Sequence, residues 1–160
     1  MTTQQVQTTD GTPLLSTTEG FVLLAKFKPG QADAFRAAIK EMAAHPEALG
    51  TLERIGTVHF ARFAIIEDTY LLFTSWFDGS VEDYLDDFYA DSSGENFDKW
   101  LRYCEGWPGP HNQKAFVDFW TSHRVQDLAR ISAYDGVTLK EIQKALRIRK
   151  NLEAVLEDFQ

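Results

Sequence analysis

The chain has 160 residues, a net charge of −8 and an aromatic content of 13%. A chain of this length suits one domain that buries roughly 70% of its unfolded surface, so its core needs no disulfide or metal. The negative charge argues against nucleic acid and anionic membrane as partners. The single cysteine, the lack of a membrane-length apolar run and the lack of a signal-peptide pattern predict a cytoplasmic protein.

The N-terminal part predicts an arm, a strand and a helix. Residues 1–18 are rich in Thr and Gln, and we expect a flexible arm there, followed by one domain over residues 19–160. A flap over a site, or a strand lent to a partner, is the functional alternative for the arm. A strand is predicted from Gly20 to about Lys28 and a one-sided helix from about Gln31 to His45, ended by Pro46.

The stretch Thr57–Gly79, TVHFARFAIIEDTYLLFTSWFDG, predicts two long strands joined by a tight turn at Glu67-Asp68. This turn would place Ile65 opposite Tyr70 and His59 opposite Trp76. Neither face of such a hairpin has the composition of a solvated surface. One face would be covered by the chain's own helices, and the other would need a ligand or a second copy.

The second half predicts further helices and one short strand. Ser80 is a good N-cap for a helix with acidic residues in its first turn, and a second helical piece is predicted over Glu95–Glu105. After a Gly/Pro-rich break, the pattern predicts a helix over Asn112–His123 and a strand over Leu128–Tyr134. Thr138 opens a capping box before a last helix that runs nearly to the end.

Without the additional helices, the element order is β-α-β-β-α-β, which is the ferredoxin-like pattern of an α+β antiparallel sheet. Such a sheet carries helices on one face only. Because the other face is apolar here, two copies pairing through their open faces would cover it, and we expect a homodimer.

The element order over Gly20–Tyr134, with its apolar hairpin, resembles the dimeric α/β-barrel superfamily. The superfamily includes small monooxygenases of antibiotic biosynthesis and haem proteins such as chlorite dismutases and dye-decolorising peroxidases. The motifs HFAR (His59–Arg62), LLFTSWFDG (Leu71–Gly79) and CEGWP (Cys104–Pro108) resemble a group of bacterial proteins. That second resemblance assigns no catalytic residue.

Two residues of the hairpin are candidates for catalysis. His59 beside Trp76 could move a proton to or from a bound phenol or enol, since an imidazole titrates near neutrality. The alternative is a histidine hydrogen-bonded inside the core. Arg62 lies in an apolar strand, so its permanent charge needs an acidic partner such as Asp78 or an anionic ligand.

The remaining candidates would bind a ligand or a cofactor. Trp76, Asp78 and Tyr70 would line the ligand site, and Lys26 would join Arg62 there or lie at the surface as an ordinary lysine. The resemblance implies an axial histidine on the helical side of the sheet for haem members, and His123 is the residue at that place. The alternative is a histidine at a helix end. No cysteine or histidine pair has metal-site spacing.

These patterns leave three functions open. The first is a small-molecule-binding protein without a cofactor, acting as an oxygenase-like or proton-transfer enzyme on an apolar or aromatic compound, with His59 as acid/base and Arg62 as anchor. The second is a haem protein with His123 as the axial ligand. The third is a non-catalytic module for dimerisation or partner docking.

Overall fold

The computed structural model describes residues 14–15, 18–45, 52, 55–92, 95–131, 134 and 136–157. The described residues form five strands and five helices: β1 (Leu14–Leu15), β2 (Glu19–Lys26), α1 (Ala32–Ala44), β3 (Val58–Ile66), β4 (Tyr70–Phe77), α2 (Val81–Ser92), α3 (Glu95–Leu101), α4 (Gln113–His123), β5 (Arg130–Ile131) and α5 (Leu139–Glu157). Strands β2, β4 and β3 form an antiparallel sheet in that order, and β1 pairs with β5 in parallel. The predicted α+β class is confirmed.

The strand predicted at the start of the domain and the helix after it are both present. Along β2, alternate residues point to one face, and Phe21, Leu23 and Ala25 are buried there. Helix α1 follows the turn at Gly30, whose φ of 72° favours glycine. Its Phe35 packs against Phe27 at 5.1 Å between ring centroids. Most of the predicted arm lies outside the described residues.

The hairpin is present with the predicted strands, but its register differs by one residue. Ile66 pairs with Tyr70, so the loop holds three residues, and Glu67 and Asp68 both have positive φ (51° and 50°). The Thr69 N–H donates to the Ile66 carbonyl at 2.9 Å, which leaves Thr69 as the extra residue. A one-residue shift exchanges the partner of every side chain.

A β-bulge at His59 shifts the register again at the far end of the hairpin. Val58 pairs with Phe77 and Phe60 pairs with Trp76, so His59 is the additional residue between them. The prediction that His59 lies opposite Trp76 is therefore wrong, and Phe60 takes that place. At the bulge the His59 side chain is buried, with only 3% of it exposed.

The sheet consequently has one covered face and one open face. On the inner face, aromatic side chains of the sheet and its flanking residues contact one aromatic residue from each of four helices. The ring pairs are Phe27–Phe35 (α1), Phe77–Tyr84 (α2), Phe73–Trp100 (α3) and Phe21–Trp120 (α4), at 4.1 to 5.1 Å between centroids. On the outer face, Phe60 is 65% exposed, Ile66 40% and Trp76 39%.

The prediction that Leu128–Tyr134 adds a strand to the main sheet is wrong. In the described residues only Arg130–Ile131 is a strand there, and it pairs with Leu14–Leu15. The reason lies in Arg130, whose buried guanidinium donates to Glu19 at 2.6 Å and to Asp127 at 2.7 Å. These bonds hold the segment across the end of β2.

Residues before and after α4 border the edge of β2 instead. The Val125 N–H donates to the Val22 carbonyl at 2.8 Å, and Leu23 forms a bridge with Arg124. Near the other end of β2, Phe27 forms a bridge with the buried Cys104. The chain at 103–105 bonds to the edge of β2, so α3 ends at Leu101 and not at the predicted Glu105.

The predicted helix starts are confirmed by their caps. Ser80 Oγ accepts from the Asp83 N–H at 3.0 Å, and Asn112 Oδ1 accepts from the Ala115 N–H at 3.0 Å. The capping box forms as predicted, because Glu141 accepts from the N–H of Thr138 at 2.9 Å. No described helix is long and apolar enough to cross a membrane.

Candidate functional site

A cavity of about 140 Å³ lies between the inner face of the sheet and helices α1, α2 and α3. We call it the inner cavity. Most of its wall is aromatic or aliphatic, and its lining residues are Met42, Leu52, Ala61, Phe63, Phe73, Tyr84, Phe88, Asn96, Phe97, Lys99 and Trp100. Ala61 and Lys99 are exposed to solvent, so they mark the rim of the cavity.

Ring packing holds the wall of the inner cavity in place. The Trp100 indole contacts Phe63, Phe73 and Phe97 at centroid distances of 4.9, 5.1 and 5.4 Å, and two of these contacts are edge-to-face. Such pairs add about 0.5–1.5 kcal/mol each beyond the area that they bury. The cavity therefore has walls that keep their shape when it is empty.

Tyr84 adds a polar side-chain group to the largely apolar wall, as Asn96 and Lys99 do. Burial raises the pKa of Tyr84 well above its usual range, and the nearby Ser75 hydroxyl acts weakly in the opposite direction. Ser75 Oγ itself is buried and makes no hydrogen bond of acceptable geometry among the described residues. Tyr84 thus stays neutral near pH 7 and can donate a hydrogen bond.

The inner cavity adjoins a larger polar cleft of about 530 Å³, which we call the outer cleft. Met42 and Lys99 line both spaces. The other lining residues of the outer cleft are Ala38, Glu41, His45, Arg102 and Tyr103. An apolar space that opens into a polar one through shared residues is a common arrangement in small-molecule sites.

The two cations of the outer cleft differ in their partners. Arg102 forms an ion pair with Asp98, and the side-chain hydrogen bond from Arg102 to Asp98 raises the Arg102 pKa. Burial acts to raise the pKa of Asp98, but hydrogen bonds from Arg102 and Trp107 hold it below its usual value. Lys99 Nζ instead donates to the neutral amide oxygen of Asn96 at 3.0 Å.

The predicted acid/base residue His59 lies away from the inner cavity. Its Nε2 donates to Asp78 Oδ1 at 2.8 Å, and its Nδ1 lies 3.5 Å from the Tyr134 hydroxyl. Asp78 Oδ2 accepts from the Leu139 N–H at 2.8 Å, at the start of α5. The Asp78 carboxylate thus fixes the orientation of the imidazole and ties α5 to the hairpin.

The other predicted ligand residues do not line the inner cavity. Arg62 and Tyr70 lie on the outer face, and Arg62 has no ion-pair partner in the described part of the chain, since Asp78 pairs with His59. Lys26 forms an exposed ion pair with Glu105 at 3.2 Å. Trp76 borders a separate cavity of about 80 Å³, beside Arg130.

His123 ends α4 as predicted, but it lines none of the cavities described above. Its ring stacks on Phe119 at 4.2 Å between centroids, and its Nδ1 lies 2.9 Å from the Phe119 carbonyl oxygen. None of these cavities places a haem-sized space beside this imidazole, and the haem hypothesis stays a prediction. Within the same residues, no group of three or more His, Cys, Asp or Glu side chains could hold a metal ion.

The sequence predicts the helices that carry Phe88, Phe97 and Trp100 but does not predict the cavity that these residues line. The spacing along each helix shows which residues point inward, whereas a cavity depends on how far apart the helices stand. Lys99 gives no sequence signal at all, because a lysine beside a buried tryptophan is ordinary on a one-sided helix.

Comparison of the chain with protein-family models, with curated proteins and with solved structures gives no match. The function of the protein must therefore be inferred from the geometry of the inner cavity and the outer cleft.

Proposed function

We propose that this protein binds a small organic molecule whose apolar ring occupies the inner cavity. The observation that carries the proposal is the cavity itself, with a volume of about 140 Å³ and a wall of Phe, Met and Trp side chains. An apolar cavity of roughly 150 Å³ is large enough to bind benzene. A single six-membered ring is the matching size.

A packing defect explains such a cavity less well than a binding site does. Protein interiors are close-packed, and an empty space of this volume is destabilising by several kcal/mol, at about 24 cal/mol per Å³. Here the cavity is open at a rim formed by Ala61 and Lys99. A cavity with an open rim and a few neutral hydrogen-bonding groups, from Tyr84 and Asn96, has the features of a ligand site.

For the fold family, we propose a ferredoxin-like domain of the dimeric α/β-barrel type, which pairs as a homodimer through the outer face. The strand order β2-β4-β3 and the chain beside β2 at Arg124 support the first part. The exposed Phe60 and Trp76 support the second, because an open apolar face favours a covering partner. Both parts also fit a non-catalytic dimerisation module.

The reaction in our first hypothesis, oxygenation or proton transfer, stays a prediction. His59 and Arg62 do not line the inner cavity, so a ligand bound there would not contact them. Tyr84 and Lys99 are the titratable groups that line the inner cavity. The raised pKa of Tyr84 keeps its hydroxyl protonated near neutral pH, so Tyr84 can donate a hydrogen bond but is a poor acid and a poor base there.

A ligand panel measured against two variants tests the binding proposal. Thermal shift and calorimetry with single-ring compounds should show stabilisation of the wild-type protein by mass action. The Ala61→Phe variant places a ring at the rim of the cavity and should abolish the response. The same substitution at Ala37, an exposed α1 position that lines neither space, should leave the response unchanged.

The proposal fails if no single-ring compound binds to the wild-type protein at millimolar concentration. It also fails if Ala61→Phe folds normally and binds as the wild type does. In the second case the ligand occupies another surface.

A further inference from the structure

We infer that the ligand is an amphipathic organic anion, with its ring in the inner cavity and its anionic group in the outer cleft beside Lys99. This inference rests on the proposed function, since it names the class of molecule that the same site takes. The inner cavity is apolar and holds one ring, whereas the outer cleft is polar and nearly four times larger, at about 530 Å³ against 140 Å³.

The two spaces lie side by side and share part of their walls. Met42 from α1 and Lys99 from α3 line both, so a molecule with its ring against Trp100 has its next atoms between these two side chains. The methionine side chain is flexible and accommodates variable chains. The lysine stem is apolar and its ammonium is charged, which suits the border between an apolar and a polar space.

The charge of Lys99 is what selects the anion. Its ammonium donates to Asn96 Oδ1 and has no carboxylate partner among the described residues, whereas the guanidinium of Arg102 is matched by Asp98. Because an ammonium bonded to a neutral amide retains its full charge, an incoming carboxylate gains a charge-assisted hydrogen bond there.

Glu41 and His45 line the α1 side of the outer cleft and bear on where the anionic group lies. Glu41 lies across the outer cleft from α3, on α1, and its carboxylate opposes an anion that enters too far toward α1. His45 follows α1 and also lines the outer cleft. With Lys99 and Arg102 on the α3 side and Glu41 on the α1 side, the anionic group belongs on the α3 side.

A matched ligand series separates the charge from the ring. The three compounds are 3-phenylpropionate, its methyl ester and 3-phenylpropylamine, which share the ring and differ in charge. In the wild-type protein, calorimetry at low salt should give the acid an affinity about tenfold higher than the ester, because one charge-assisted hydrogen bond separates them. The amine should bind more weakly than both.

Three variants assign the preference to a residue. Lys99→Gln should lower the affinity for the acid about tenfold and the affinity for the ester much less, because only the acid loses a charge-assisted hydrogen bond. Glu41→Gln removes a like charge and should raise the affinity for the acid by about twofold. Lys140→Gln makes the same change in net charge, but Lys140 lies on α5 and lines neither space. This control variant should therefore change neither affinity.

The outcomes distinguish the two proposals. If the ester binds as tightly as the acid, if the amine binds best, or if Lys99→Gln leaves the acid unchanged, the anionic class is wrong while ring binding in the inner cavity stands. If none of the three compounds binds and other single-ring compounds also fail, the proposed function is wrong and this inference falls with it.

Discussion

The two faces of the same three-stranded sheet are built from the same kinds of residue and meet different surroundings. On the inner face, Phe73 is 3% exposed and lies between Phe63, Trp100 and Trp120. On the outer face, Phe60 is 65% exposed. An apolar strand face therefore indicates that the face must be buried. Only the neighbouring elements determine what buries it.

The inner face also shows that helices can bury the face of a sheet without filling all the space beneath them. The helices bury the aromatic side chains and still leave a cavity between the sheet and helices α1, α2 and α3. On the outer face the cavity beside Trp76 holds only about 80 Å³, which is too small for a single ring, and Phe60 stays exposed. We therefore propose ligand binding for the inner face and association for the outer face.

The largest expected effect is a difference in the free energy of unfolding between variants at two adjacent positions of β4. Phe73→Ala should lower the free energy of unfolding by about 3–5 kcal/mol, because it removes a buried ring from the inner face. Leu72→Ala, one residue away on the outer face and half-buried, should lower it by about 1 kcal/mol. Chemical denaturation of both variants measures the difference, and equal losses would contradict the assignment of the faces.

The second effect concerns association through the outer face. Trp76→Lys should weaken the homodimer by about 2 kcal/mol or more, the scale of a central interface residue, and leave the folded protomer intact. Sedimentation velocity over a range of concentrations should show monomer where the wild type is dimer. Glu82→Lys, on the exposed side of α2, is the charge-changing control and should leave the dimer intact. A wild-type protein that stays monomeric would remove the proposed dimer.

The smallest effect tests the turn that sets the register of both faces. Glu67 has a φ of 51°, which asparagine tolerates better than glutamate. Glu67→Asn should therefore raise the free energy of unfolding by about 0.5–1 kcal/mol, measured by thermal or chemical denaturation. Asp68 is kept in this variant because it forms an ion pair with Arg36. A clear loss of stability would mean that the Glu67 side chain has a role of its own.

The sequence predicted the elements much better than it predicted their relations. Strand β2, helix α1 and the capping box at Thr138 follow from periodicity and local hydrogen-bonding chemistry, which act within a few residues. The hairpin register depended on whether Thr69 belongs to the turn or to the strand, and composition does not decide that. A bulge such as the one at His59 has no local pattern of its own.

The residues that the sequence selected are not the ones that line the inner cavity. The sequence indicated a small-molecule site near an apolar hairpin and selected His59, Arg62 and Trp76. The observed register places Arg62 and Trp76 on the outer face, and His59 is hydrogen-bonded to Asp78. Arg130 shows the same limit, because its two acidic partners include Glu19, 111 positions away in the chain. Contacts of that separation depend on tertiary structure.

The burial of Cys104 beside β2 has a practical consequence. Burial raises the pKa of the Cys104 thiol to about 12, although Lys28 acts slightly against it. Since the thiolate is the reactive species, an alkylating reagent modifies this group only when the segment at 103–105 separates from the sheet edge. This is the chain's single cysteine, so the rate at which the unmodified protein is labelled reports how often that edge opens.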